Sequence, residues 1–171
     1  MKFCFDHFTV AIWSSKMRKN IEKILPKIRR SLPDEVQMLF VWGQENCVLT
    51  RVRLGSNEQK FVMLKNLEKV WNAYPQFNAS NTVLIDDTPY KSLMNSANNF
   101  IFPTTFDSSN RWDNYPDPNG GFVNYLERLS SAHDVAEFIE MERFGQDPIR
   151  QDDWRMAKLQ PAIDYAMRCG R

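Results

Sequence analysis

A chain of 171 residues holds one domain with a sizeable core and is too short for two ordinary ones. With 22 Lys and Arg against 21 Asp and Glu, the net charge of +1 supplies no basic stripe for a phosphate backbone, so nucleic acid is not an expected partner. Cys4, Cys47 and Cys169 lie far apart without CxxC spacing and suggest neither a zinc site nor a disulfide framework, which makes a reducing compartment the default. No run approaches the ~18 apolar residues of a membrane span. The first residues, Met1 to His7, lack the pattern of a signal or transit peptide.

In chain order, Phe8 to Ile12 is an apolar, β-branched and aromatic run of strand length. Lys16 to Ser31 then places Met17, Ile21, Ile24 and Ile28 at spacings of three and four, the period of an amphipathic helix. Its basic end, Lys27 with Arg29 and Arg30, reads as a solvated helix terminus favourably set against the dipole. Val36 to Trp42 is a second strand of the buried type. Val48 to Leu54 and Lys60 to Leu64 flank Gly55 to Glu58, a polar turn, and form a β-hairpin.

Leu67, Val70 and Trp71 give Lys65 to Ala73 a helical face, and Pro75 to Asn81 is a polar loop. Val83 to Ile85 is a strand that feeds Asp86 and Asp87, Ser92 to Asn98 is helical, and Phe100 to Phe102 is extended. Thr104 to Gly121, rich in Asp, Asn, Pro and Gly, is a long surface connection, mobile or of the Ω type. Helices over Phe122 to Ser131 and Asp134 to Phe144 follow, the second capped by Asp134. From Asp152 the tail sets Trp154, Leu159, Ile163 and Tyr165 among charges, and Pro161 is expected to interrupt any continuous helix.

Alternating strands and helices define an α/β domain with a largely parallel sheet, whose sites lie outside the carboxyl ends of the strands. Ser14 and Ser15 follow one strand and Asp86 and Asp87 end another, so the topology directs them to one edge. Carboxylates in that position suit Mg²⁺ and phosphate. Singly, each signal has a plainer reading: a Ser pair after a strand is usually a turn or cap, a Lys at a helix start is usually solvated, and acids before Thr-Pro oppose a helix dipole. Order, spacing and strand placement together argue for a site. His7 and His133 have no partner acid at useful spacing and are read as structural.

Val10-Ala-Ile-Trp-Ser-Ser15, Lys65-Asn-Leu-Glu68 and Thr82-Val-Leu-Ile-Asp-Asp-Thr-Pro-Tyr90 resemble motifs two to four of the haloacid dehalogenase superfamily, in its RNA polymerase II C-terminal-domain phosphatase (NLI-interacting-factor-like) branch. The resemblance implies a Rossmann-like sheet flanked by helices, with the hairpin of Trp42 to Leu64 as an insert and Arg51, Arg53 and Lys60 available to an acidic ligand. It assigns Ser14 as the hydroxyl that binds a phosphoryl oxygen, Lys65 as the bridging cation, Asp86 as a supporting acid and Asp87 as a Mg²⁺ ligand. Ligand and partner would be Mg²⁺ and a phosphoserine or phosphothreonine peptide.

One motif of the family is not among these residues. The nucleophile motif, Asp-x-Asp-x-[Thr/Val] at the end of an apolar strand, has no counterpart: Asp6-His-Phe-Thr-Val10 has one acid and lies before the wrong strand. Residues 1–146 are therefore expected to be a phosphatase-like homology domain truncated at the amino side, with the family's first strand missing, and 147–171 a C-terminal helical tail. The expectation is a hydrolase-type fold, inactive as this chain and prone to self-associate through unpaired strand edges. A cytoplasmic or nuclear protein is expected. The alternatives are a non-catalytic phosphopeptide-binding or scaffold protein, or a component of mitochondrial presequence translocation.

Overall fold

The computed structural model describes residues 2–30, 32, 36–54, 60–105 and 120–169. They fall into two compact units, 1–48 and 49–171.

The first unit opens on α1 (Lys2–His7), a short helix where sequence periodicity gave no signal; Asp6 lies within it. β1 (Ile12–Trp13) pairs in parallel with β2 (Val41–Trp42), in the register Ile12 with Val41 and Trp13 with Trp42. Both strands are shorter than their apolar runs, but the pairing extends backwards through Leu39 N–H to Val10 O and Ile12 N–H to Phe40 O. Parallel pairing requires a crossover, and α2 (Arg18–Arg30) supplies it. Ile21 turns inward from α2 and Trp13 from β1, and the Trp13 ring meets Trp42 edge-on with 5.2 Å between centroids. Pro26 sits inside α2 without ending it.

β3 (Val48–Leu49) spans the boundary and leads into the hairpin of the second unit, where Thr50 N–H donates to Val62 O and Val62 N–H to Val52 O before β4 (Met63–Leu64). The hairpin tip, residues 55–59, lies outside the described residues. α3 (Glu68–Ala73) follows, then a polar loop, then β5 (Leu84–Ile85), which pairs in parallel with β6 (Phe100–Ile101). Between β5 and β6 the expected single helix is instead two 3₁₀ turns, Pro89–Ser92 and Ala97–Asn99. Pro89 starts the first at its opening position, and the Ser96 side chain caps the second by accepting from Asn98 N–H. At the break, the Asn95 side chain bonds Lys65 O and Leu67 N–H outside the segment and also donates to Ser92 O at 3.0 Å within it.

α4 (Gly121–Ser130) and α5 (Val135–Met141) match the expected helices, and Asp134 caps α5 through Ala136 N–H and Glu137 N–H. Residues 106–119, most of the expected long connection, lie outside the described residues. α6 (Trp154–Cys169) corrects the expectation at Pro161, through which the helix continues. Proline inside a helix costs about 3 kcal/mol. Leu159 and Ile163, one on each side, are buried and bind the helix to the core, and Gln160 reaches past the proline to Asp164 at 2.7 Å. The core of this unit draws on Leu64, Phe100, Ile101, Tyr125, Leu129 and Ile139.

This is a haloacid-dehalogenase-type α/β fold with an inserted hairpin. Among the described residues, β5 takes ladder bonds from β6 alone, and Ile85 is 41% exposed. A segment after α5 extends β6: Gly145 bridges Phe102 in parallel, and Gln146 N–H donates to Phe102 O at 2.6 Å. Gly145 has φ +89°, and a Cβ there would stand 2.1 Å from Phe102 O. Gly145→Ala is expected to lower unfolding stability by about 2 kcal/mol or more, through left-handed strain and backbone clash together. Gly121→Ala, where a Cβ meets nothing within 4 Å, should change it by less than about 1 kcal/mol. Urea unfolding of both variants provides the comparison.

Candidate functional site

The carboxyl end of β5 leads directly into Asp86 and Asp87, and the carboxyl end of β4 into Lys65. Backbone bonds join the two exits. Lys65 N–H donates to Lys91 O at 2.9 Å, and Asn95 accepts from Leu67 N–H at 2.6 Å while donating to Lys65 O at 2.6 Å. Lys65 is thereby held on the turn that follows Asp86.

Its side chain is directed at Asp86. Lys65 is 3% exposed, and its Nζ lies 2.6 Å from Asp86 Oδ2. Lys91 Nζ approaches the other oxygen, Oδ1, at 2.9 Å, and Thr88 N–H donates to the same atom at 3.0 Å. A buried carboxylate with this many donors is stable as the anion. Burial pushes the Asp86 carboxyl up, but Lys65 first and Lys91 second outweigh it and hold it below the usual carboxylate range.

Asp87 differs. Its side chain accepts from the Thr88 hydroxyl at 2.9 Å, and neither lysine reaches it. Its carbonyl is anchored instead: the Gln146 side-chain amide donates to Asp87 O at 2.9 Å and to Pro103 O at 2.8 Å, tying the exit of β5 to the exit of β6. The two adjacent acids therefore have separate roles, with Asp86 a counter-ion and Asp87 a half-buried carboxylate on a fixed turn.

Ser14 belongs to the first unit. Its N–H donates to Trp42 O at 2.9 Å, closing the β1–β2 pair, and its Oγ accepts from Lys16 N–H at 3.2 Å. That is the turn-type use expected of a serine after a strand. Its carbonyl faces the Cys47 thiol at 4.0 Å.

Of the sequence-assigned residues, Lys65, Asp86 and Asp87 come together, with the first two in direct contact. Lys91, Asn95 and Gln146 were missed. Lys91 had a local signal, since it falls five residues after Asp86 in a segment expected to turn; Gln146 had none. Among the described residues no group of three or more His, Cys, Asp or Glu could hold a metal. Asp86 is unsuited to ligating one, because two ammonium groups already occupy it. Asp87 suits Mg²⁺ as a single carboxylate, a partial ligand set of the sort that substrate oxygens and water complete.

An α/β domain of haloacid-dehalogenase type with a lysine and paired acids at its strand ends is the class that fold and site define. The sequence pattern of the NLI interacting factor-like phosphatases matches residues 1–136, and the chain belongs to that family. It is also similar to the ubiquitin-like domain-containing CTD phosphatase 1 of Drosophila melanogaster, at 26% identity over 91 residues. That stretch is 53% of this chain and 27% of the relative, so the chain spans about a quarter of that protein's length.

The ion cluster sets an acid dependence. Because the Asp86 pKa is lowered on folding, its stabilisation is complete above the unfolded value of 3.8 and is lost as pH falls through the lower folded value. Lys65→Met leaves a buried carboxylate short of its principal cation and is expected to cost about 3 to 5 kcal/mol at neutral pH. Its stability should also fall less steeply with acid than that of the parent. Urea unfolding from neutral pH down to about pH 3 measures both effects.

Proposed function

We propose that these residues form the phosphate-facing part of a phosphatase-type site, related to Mg²⁺-dependent protein serine/threonine phosphatases, and that the 171-residue chain by itself has no turnover. The observation that carries this reading is the buried contact of Lys65 with Asp86, at the carboxyl ends of β4 and β5 in an α/β fold. An ammonium has three donors, and among the described residues Asp86 takes one of those on Lys65. The rest of its charge is available to a phosphoryl oxygen. Asp86 and Lys91 hold Lys65 in place, and Asp87 would ligate Mg²⁺; a phosphoryl-donor role for the Ser14 hydroxyl rests on the sequence resemblance alone. Mg²⁺, when bound, neutralises charge on the transferring oxygens.

Phosphoryl transfer of this kind rests on positioning and electrostatics, but it still needs a group to receive the phosphoryl. No Asp-x-Asp occurs among these residues. A phosphoserine or phosphothreonine peptide is the substrate class of this reading, and a cytoplasmic or nuclear location and self-association through the β1 and β5 edges go with it.

The test supplies the absent group. An apolar strand ending in Asp-Leu-Asp-x-Thr, fused ahead of Met1, should confer Mg²⁺-dependent hydrolysis of a phosphoserine peptide, while the unextended chain should show none. In the fusion, Lys65→Ala and Asp87→Ala should each lower turnover by about 10²-fold or more, and Ser14→Ala by less, because charge stabilisation exceeds one neutral hydrogen bond. Lys60→Ala should be near neutral. A well-folded but inactive fusion, or equal effects at Lys60 and Lys65, would refute the assignments.

A further inference from the structure

The net charge of +1 conceals a strong local imbalance. α2 holds six cations and one carboxylate in 13 residues, while the rest of the chain carries sixteen cations against twenty carboxylates. The cations divide by helical position. Arg18 pairs with Glu22 at 3.2 Å and donates to Val41 O at 2.8 Å, so its charge is committed to its own unit. Lys19, Lys23, Lys27 and Arg30 fall at i, i+4, i+8 and i+11, one face about 17 Å long, and all four are exposed.

Folding does not account for this stripe. Cations favour the last turn of a helix, which suits Lys27 and Arg30, but Lys19 and Lys23 lie in the first half, and the first turn contains no acid. Like charges at i and i+4 also repel. One flank of the stripe carries two exposed apolar side chains, Met17 at 42% and Ile24 at 44%, seven residues apart and hence on the same side. Ile21, one turn from Ile24, is buried and holds the helix to its unit with the stripe outward.

We propose that this face of α2 docks on an anionic lipid surface, with Lys19, Lys23 and Arg30 at headgroup phosphates and carboxylates and Met17 and Ile24 at the interface. The apolar flank decides between polyanions: an interfacial helix gains from exposed Met and Ile beside Lys and Arg, whereas a nucleic-acid backbone does not. The docking is peripheral, and no helix among the described residues is long and apolar enough to cross a membrane.

Sedimentation with vesicles tests it, using the full chain and phosphatidylcholine with or without phosphatidylserine at about two to one. Binding is expected to the anionic vesicles alone and to weaken as salt is raised. Each of Lys19→Gln and Lys23→Gln should weaken it roughly fivefold, and the pair roughly 25-fold. Ile24→Ser should weaken it further at unchanged salt dependence, and Arg168→Gln, an exposed cation on α6, should leave it within about twofold. Circular dichroism of each variant verifies the helix content. Equal binding to neutral vesicles, no effect of the Lys19 and Lys23 changes, or tighter binding to a duplex oligonucleotide than to anionic vesicles would overturn the proposal.

Discussion

The carboxylate of Asp86 is the constraint on which the acidic edge depends. Once the strand β5 delivers it to a place where its side chain is 8% exposed, the charge must be met by cations or lost to a proton. Lys65 and Lys91 meet it from two directions, and each has its backbone placed by the other through the Lys65 N–H to Lys91 O bond. Asn95 then holds Lys65 O and Leu67 N–H, so the exit of β4 and the turn after β5 behave as one piece. Such a cluster contributes little net stability compared with apolar residues of the same volume, because desolvation offsets the Coulomb gain. What it provides is position: a lysine whose remaining donors are fixed in space.

Regular structure is short throughout, and polar side chains replace it at the joints. Asn99, 1% exposed, donates to Ala79 O and Thr82 O and so anchors the loop that leads into β5. Gln146 performs the corresponding task between the exits of β5 and β6. Each of these amides satisfies two carbonyls that would otherwise cost about 1 to 3 kcal/mol if buried without partners. Two-residue strands can therefore position a site, provided that their ends are pinned from outside the sheet.

Charge is organised on two scales in the molecule. At the acidic edge, opposite charges are brought within hydrogen-bonding distance and buried. On α2, like charges are gathered on one helical face and exposed, and a near-neutral total conceals them. Composition reports the sum, and function depends on where along the helix or sheet the terms lie.

Features governed by near neighbours in the chain were legible in the sequence. The apolar run ending in Asp86 and Asp87, the arms of the hairpin, the periodicity of α2 and the Asp134 cap all follow from side-chain alternation, a 3.6-residue period or a hydrogen bond spanning two or three residues. So did the class of fold, since alternating strands and helices leave few ways to cover a parallel sheet. Tertiary structure decided the rest. Pro161 stays within α6 because Leu159 and Ile163 are held by a core that no local window contains. Lys91 becomes a second partner of Asp86 only once a 3₁₀ turn aims it, and Gln146 reaches Asp87 across 59 residues of chain. Local pattern determines which segments can carry charge and apolar surface. Which charges meet, and which acid is left without a lysine partner, depends on contacts made only when distant segments pack and lose water together.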